Sequence, residues 1–446
     1  MKVVVIGAGL AGLSAARELT KGGHEAVILE ARDRVGGRLE GGEILGHPVE
    51  LGGTWIGEGH TEMTVLVREL GLETFRTYND EGRMLIDLGG KRSTMSARKG
   101  AIPRLSPFTL ADLAQGLARF VRLSRTVDLT RPWEHRDAHR LDGQTFETWI
   151  ARNLRTPSGR AYFRVATEAV FAADASDLSL LHALHYAHSN GDLETLLAVD
   201  RGAQQDRVVG GASVVAELLA EGLDVRLGSP VDVIAHDDDE VTVTCRDGSE
   251  HRADRVVVAV PPVLAGRLRY DPPLPAWRDQ LTQKLPAGSV AKVFAAYPTP
   301  FWRDAGLNGQ AASDRGPTKV TFDVSPPGGE VGVLLAFVEG GDARRWVRLT
   351  AAERRRVVLE RLVDYFGPAA AEPSAYVEKD WAAEEYSRGC YGAHFAPGVW
   401  TSFGDALRPA VGPIHWAGAE YATEWSGYME GAVRSGRAVA VKVAGT

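Results

Sequence analysis

The first thirty-eight residues constrain this chain more than any other stretch. Lys2 to Gly7 is nearly all Val and Ile and closes on glycine, which predicts a short buried strand. Gly7-Ala8-Gly9-Leu10-Ala11-Gly12 follows as a G-x-G-x-x-G turn. In such a turn Gly7 permits the tight bend, Gly9 lets a pyrophosphate approach bare backbone, and Gly12 lets a helix pack close on the strand. A helix from about Leu10 to Lys21 then aims its free N–H groups and positive dipole end at the anion. A second strand, Glu25 to Leu29, ends at Glu30, about where this fingerprint places its ribose-binding acid. Strand, turn, helix, strand and acid occur in order, and together they predict a dinucleotide site. The carboxylate suits a free 2′-hydroxyl, so FAD or NAD fits better than NADP, with the neighbouring Arg32 as the residue that speaks for NADP.

Two further motifs separate FAD from NAD. Arg34-Val35-Gly36-Gly37-Arg38 and Leu51-Gly52-Gly53-Thr54-Trp55 resemble those of the flavin amine oxidase family. In that family the G-G-R puts an arginine near the pyrophosphate, and the later G-G turn passes beside the flavin ring. The resemblance continues through Trp381 to Tyr391, Trp416-Ala417-Gly418-Ala419-Glu420 and Trp425 to Ala432, with Ser435-Gly436 after them. It runs from Lys2 to Val443 and is strongest to the monoamine oxidases. Gly427 and Gly431 are read as opening another helix N-terminus, suited to the negative charge of a reduced flavin.

The resemblance implies an α/β protein: a discontinuous Rossmann-type FAD-binding domain with an α+β substrate domain that contains a helical insert. Residues 1–74, 205–269 and 394–446 are assigned to the first, residues 75–204 and 270–393 to the second. It also implies FAD contacts from Gly7, Gly9, Ala11, Gly12, Glu30, Ala31, Arg32, Gly37, Arg38, Gly53, Thr54, Val231, Trp381, Cys390, Gly418, Glu420 and Met429. Tyr391 and Tyr428 match the two tyrosines of an aromatic cage, and Gln204 matches a glutamine of the substrate cavity. Lys292 matches a lysine that holds a water near flavin N5. Only nine of the 51 basic residues are lysines, so one inside the apolar run Gly288 to Phe294 stands out.

Cys390 stands where monoamine oxidases carry a thioether to the 8α-methyl of FAD. Covalent FAD is therefore expected, with a free thiol beside the ring as the alternative. Arg388 departs from the glycine usual in the mitochondrial proteins; it is a candidate to lower the thiol pKa and also to displace the loop.

Composition excludes several other classes. A net charge of −7 argues against general nucleic-acid binding, and no apolar run is long enough to cross a bilayer. The first strand begins at Lys2, leaving no room for a signal peptide, and the chain stops soon after its last motif, where mitochondrial relatives carry a membrane anchor. A cytoplasmic protein without a membrane partner is expected, and a homodimer is the assembly considered. With two cysteines, Cys245 and Cys390, there is no disulfide framework, and Cys245 reads as a small residue of an alternating strand.

The middle of the chain offers two alternatives to weigh. The predicted helix Thr109 to Ser124 has arginines on one side, which reads as a solvated amphipathic helix rather than a membrane-surface one, because Asp112 and Gln115 dilute its basic face. His182, His185 and His188 recur at helical spacing, but no acidic partner completes a metal motif, so no metal is expected.

The activity expected is oxidation of an amine, above all a primary monoamine, with dioxygen reduced to hydrogen peroxide. L-amino-acid oxidase and putrescine or polyamine oxidase are the alternatives within the family. A flavin-binding protein without catalysis is the alternative outside it, against which Tyr391, Tyr428 and Lys292 speak. A polyamine oxidase would want carboxylates deep in its cavity, and an amino-acid oxidase an arginine for the substrate carboxylate.

Overall fold

In the computed structural model, which describes residues 1–79, 81–97 and 104–445, the N-terminal strand Lys2–Ile6 is the centre of a five-stranded sheet. Its order is Asp224–Arg226, Glu25–Leu29, Lys2–Ile6, Arg255–Val258, Ile414–Trp416, and every pairing is parallel. Val3, Val4, Val5 and Ile6 are all buried, as a strand covered on both faces requires. The helix Leu10–Lys21 follows at once. Gly7 adopts φ +102°, and a Cβ on Gly12 would lie 2.0 Å from the Gly7 carbonyl, so both glycines are demanded by geometry. This is the Rossmann-type arrangement expected, and its strands come from three separated stretches of chain.

A second sheet has seven strands in the order Ala375–Asp380, Val290–Tyr297, Gly332–Glu339, Thr318–Asp323, Leu307–Ser313, Arg83–Leu88, Lys91–Met95. Val290–Tyr297 and Gly332–Glu339 pair antiparallel and are buried at every position. Each of these two strands carries one charged residue, Lys292 and Glu339 respectively. The strands Leu307–Ser313 and Ala375–Asp380 escape a sequence reading because neither alternates cleanly nor is β-branched throughout. A four-stranded sheet, Glu250–Ala253, Val241–Cys245, Val231–His236 and Arg269–Asp271, holds Cys245 buried in its strand, as expected.

Helices Pro107–Ser124, Phe146–Asn153, Pro157–Phe171 and Leu180–Ser189 build the insert around Phe120, Phe146, Trp149 and Phe163. Here one expectation is corrected. Arg119 and Arg122 do face solvent, but Asp112 is buried and does not dilute them. It accepts hydrogen bonds from the backbone N–H groups of Arg155 and Thr156 and from the Thr156 hydroxyl, tying this helix to the start of Pro157–Phe171. Gln115 likewise turns to the Asn153 carbonyl. The three histidines have structural partners: Trp400 Nε1 donates to His182, and His185 and His188 pair with the carbonyls of Leu129 and Val127. Among the described residues no helix is long and apolar enough to cross a membrane.

The helix Met429–Ala444 lies on Leu10–Lys21 and closes the first sheet's outer face. Tyr428 caps this helix, with Gly427 just before it and Gly431 in its first turn. A Cβ on Gly436 would sit 2.3 Å from the Ala11 carbonyl, a backbone atom that cannot move aside cheaply. Gly436→Leu is therefore expected to destabilise the protein by at least about 2 kcal/mol and to loosen the dinucleotide turn. Denaturant unfolding followed by circular dichroism checks this; an unchanged midpoint would show that the two helices do not depend on close contact.

Candidate active site

One continuous cavity of about 850 Å³ runs from the glycine turn to the second sheet. At its first end are Gly7, Gly9, Leu10, Ala11, Glu30, Ala31, Arg32, Gly37 and Arg38, with Val231 beside them. At the junction of the sheets are Gly53, Thr54, Lys292, Trp381, Cys390, Tyr391, Gly418, Tyr428 and Met429, and beyond them Gln204 and an apolar chamber. Of the residues expected from sequence, only Gly12 and Glu420 do not line it. Gly12 lies behind the turn, where it lets the helix approach, and Glu420 lies behind Arg38.

The first end fits FAD by the chemistry of its donors. A Cβ on Gly9 would meet nothing nearer than 4.0 Å, so backbone is open to a phosphate, and the helix it precedes has no side-chain cap occupying its N–H groups. Glu30 is buried and its two oxygens accept from the N–H groups of Ala8 (2.7 Å) and Arg32 (2.9 Å). A carboxylate has about four acceptor positions, so two remain for ribose hydroxyls. Arg32 is not free for a 2′-phosphate: its guanidinium donates to Ser387 Oγ, Glu384 and the Tyr386 carbonyl. That removes the one residue that spoke for NADP.

Arg38 is held by two-pronged donation to Glu420 (2.7 and 3.0 Å) and by a 2.6 Å bond to the Tyr391 carbonyl. It thereby fixes the segment that carries Cys390 and Tyr391. Trp381 is fixed in turn by donation from its Nε1 to the Leu51 carbonyl.

At the junction the two tyrosines approach the cavity from different elements. Tyr428 precedes the C-terminal helix and packs edge-on against His60 and Trp425, at 5.5 and 5.4 Å between ring centres. Tyr391 packs against Phe337 at 6.3 Å, and its hydroxyl donates to Glu339 Oε1 at 2.7 Å. Burial raises the pKa of both phenols, so both rings stay neutral. Tyr186, from the helix Leu180–Ser189, adds a third phenol to the cavity wall, 6.2 Å from Tyr428.

Lys292 is buried, so it does not face solvent from its strand. Its Nζ donates to the carbonyls of Glu50 (2.5 Å) and Gly52 (2.8 Å) and to Thr54 Oγ1 (2.8 Å). Burial lowers its pKa to about 7, opposed by Glu50. Those three acceptors match the three N–H bonds of an ammonium; the neutral amine keeps two and gains a lone pair. Gln204 is fixed by donation to the Leu196 carbonyl, which leaves its amide oxygen buried and unpartnered.

Cys390 is buried, and burial pushes its thiol up to about 11. The cations that oppose this are Arg38 and Lys292. Arg388 is not one of them: it is exposed and donates to the Glu385 carbonyl, so the expectation that it activates the thiol is corrected.

Sequence reasoning missed Tyr186 and Glu339. Tyr186 stands among the three histidines that drew attention to its segment. Glu339 had a usable signal, since a carboxylate that ends an apolar run of seven residues, Gly332 to Val338, is either an edge or a site.

The chain matches the model of the flavin containing amine oxidoreductase family over residues 10–444. It is 42% identical over 444 residues to AofH of Mycobacterium tuberculosis, named as a flavin-containing monoamine oxidase, with 99% of this chain and 96% of that one covered. To an L-amino acid dehydrogenase of Synechocystis it is 37% identical over 456 residues, covering 99% of this chain and 94% of that one. A solved structure of wild-type putrescine oxidase bound to putrescine superposes with a TM-score of 0.95 at 34% identity, covering 100% of both chains.

The site's geometry makes one direct claim on cofactor binding. Glu30→Ala should weaken FAD retention by roughly 1.5–3 kcal/mol, from loss of a charge-assisted hydrogen bond to the ribose. Absorbance of the protein fraction after dilution and filtration measures it; retention equal to the unsubstituted protein would remove Glu30 from the ribose contact.

Proposed function

The chain belongs to the flavin-containing amine oxidoreductase family, as an FAD-dependent amine oxidase, and we propose that its substrates are primary monoamines with apolar side chains. The observation that carries this is the chamber beyond Tyr391 and Tyr428. Its walls include Leu113, Leu117, Val165, Ala169, Leu196 and Val320, and among the described residues no Arg or Lys lines them. The cavity's arginines lie elsewhere: Arg32, Arg246 and Arg388 surround Tyr386 and Glu385, Arg38 lies behind Tyr391, and Arg267 follows the segment Val260 to Leu264 that also lines the cavity. An α-amino acid would leave its carboxylate unpaired there, at a cost of several kcal/mol. A diamine would want a second carboxylate away from the tyrosines; Glu194 is exposed, and the buried Glu339 sits at the Tyr391 hydroxyl.

Bound FAD supplies the acceptor for a hydride equivalent from the amine's α-carbon and the centre at which dioxygen becomes hydrogen peroxide. The chain's own residues do the rest. Tyr391 and Tyr428 present ring faces to the amine and exclude water, which favours the neutral form that can be oxidised. Gln204 offers its free amide oxygen to an N–H of the substrate. Lys292, deprotonated above about pH 7, turns a lone pair toward a water at the junction while its remaining N–H groups stay on the loop Glu50 to Thr54. The division into a cofactor domain (1–74, 205–269, 394–446) and a substrate domain (75–204, 270–393) is part of the same reading, supported by which sheet each strand joins. So is a cytoplasmic location, supported by two unpaired cysteines.

A peroxide assay with benzylamine, putrescine and an apolar L-amino acid tests the substrate class. Benzylamine should exceed both others in kcat/KM by on the order of 100-fold, the discrimination expected when a buried charge is left without a partner. Equal or faster oxidation of putrescine or the amino acid would overturn the reading while leaving the flavin chemistry in place.

We include a thioether from Cys390 to FAD in the proposal. The thiol lines the cavity, and of the two cations that oppose the rise of its pKa to about 11, Arg38 is the one that keeps its charge above neutral pH. Acid precipitation separates the cases: a yellow pellet is expected, turning to a colourless pellet and yellow supernatant in Cys390→Ala. Free FAD from the unsubstituted protein would refute the bond.

A further inference from the structure

Glu339 is a carboxyl group in a place where burial alone would not put one. It ends the fully buried strand Gly332–Glu339, is 3% exposed and lines the cavity. Its Oε1 accepts the Tyr391 hydroxyl at 2.7 Å, while its Oε2 is buried with no hydrogen-bond partner. An unpaired buried carboxylate oxygen costs about 1–3 kcal/mol or more, so a partner that arrives from the cavity accounts for it better than a structural role. The arriving molecule is known in kind: at neutral pH most of a primary amine is ammonium, a cation that an apolar chamber rejects unless an anion meets it.

We propose that Glu339 receives the ammonium proton of the substrate. The free oxygen, at the hydroxyl end of the Tyr391 ring, binds R–NH₃⁺; one N–H bond breaks as an O–H bond forms on Oε2, and R–NH₂ is left at the cage. Ammonium and carboxylate become amine and carboxylic acid, so atoms and charge balance and no ion is left in the apolar space. Tyr391 keeps the carboxyl in place throughout, because its hydroxyl holds the other oxygen. The proposal rests on the reading of the site as an amine oxidase and identifies how that site admits its substrate.

The groups around Glu339 permit the exchange. Burial raises its pKa to about 8, in the range where it trades a proton with an amine. Tyr391 favours its ionised form by donation, Glu168 of the helix Pro157–Phe171 opposes it, and Lys319 of the strand Thr318–Asp323 favours it. Lys319 is itself held by Glu168 (2.5 Å) and by Asp342 of the helix that follows Glu339 (2.9 Å), which mutes its effect. On the other flank Val290 pairs with Glu339, and Lys292 lies two residues further along that strand.

Calorimetry with α,α-dimethylbenzylamine, which has no α-hydrogen and so is not oxidised, counts protons directly. Titrations near pH 8.5 in two buffers of different ionisation enthalpy should show far less than one proton released per site in the unsubstituted holoenzyme. Glu339→Gln, which keeps an acceptor for Tyr391, should release close to one, because the amine must then shed its proton to solvent. Release of close to one proton by the unsubstituted enzyme overturns the proposal, whatever the variant does. The pH profile of kcat/KM for benzylamine is the second measurement. It should pass through a maximum, falling below about pH 8 as Glu339 takes a proton from solvent and falling again as the amine loses its own. In Glu339→Gln the profile should instead rise to a plateau and be lowered about 10-fold or more near neutral pH. A purely structural role would lower the Glu339→Gln profile while leaving its shape that of the unsubstituted enzyme, and that result also overturns the proposal. Absence of peroxide from benzylamine with the unsubstituted enzyme would instead fail the activity reading, which the calorimetry does not use.

Discussion

The pair of half-buried Arg38 and buried Glu420 is the interaction on which the rest of the site depends. Three stretches far apart in sequence meet at one guanidinium: the glycine-rich N-terminal motif, the segment of Tyr391 through its carbonyl, and the start of the C-terminal motif. Glu420 also accepts from the Ala393 N–H, so it fixes the same segment from the other side. A largely buried pair of this kind gains little net stability over apolar packing, but removing Arg38 would leave the buried Glu420 carboxylate without its charged partner, which is costly. Its effect is therefore positional. Tyr391, Cys390 and the strand behind them stand where they do because their backbone hangs from a charge that has nowhere else to go.

The interior that this pair organises has a consistent electrostatic character. Apart from the Arg38–Glu420 pair, which stays charged, burial moves four nearby groups toward neutrality: Lys292 down to about 7, Glu339 up to about 8, the Cys390 thiol up to about 11 and His60 down to about 3. A chamber with so little fixed charge near neutral pH suits an uncharged amine. It also means that the few groups still able to titrate in the physiological range, Lys292 and Glu339, sit on paired central strands of one sheet and face the same junction. The sheet holds them rigidly, which a loop would not.

Much of this was legible in the chain. The strand, turn and helix of residues 2–21 follow from apolar residues and glycines at fixed offsets, because local sterics decide them. The cage tyrosines and Lys292 came through resemblance and do line one cavity. What failed was what only distance in space decides. Asp112 looked like a solvent residue until residues 155 and 156 brought it their N–H groups, and Arg388 looked like the thiol's neighbour because it lies two residues away in sequence. Glu339 showed in the sequence only as a carboxylate ending an apolar run; what decides between an edge and a site is Tyr391, fifty-two residues later.

The contact between the helices Leu10–Lys21 and Met429–Ala444 has a consequence for biosynthesis. Roughly 400 residues separate them, so the groove that receives the second helix stays uncovered for most of the time the ribosome takes to make the chain. The central strand Lys2–Ile6 waits similarly for Arg255–Val258, which waits in turn for Ile414–Trp416. A nascent chain of this design carries a dinucleotide turn early but lacks the surfaces that clamp it, so cofactor capture belongs to the end of translation. Until then the apolar groove is exposed surface of the kind that makes incomplete chains prone to aggregate.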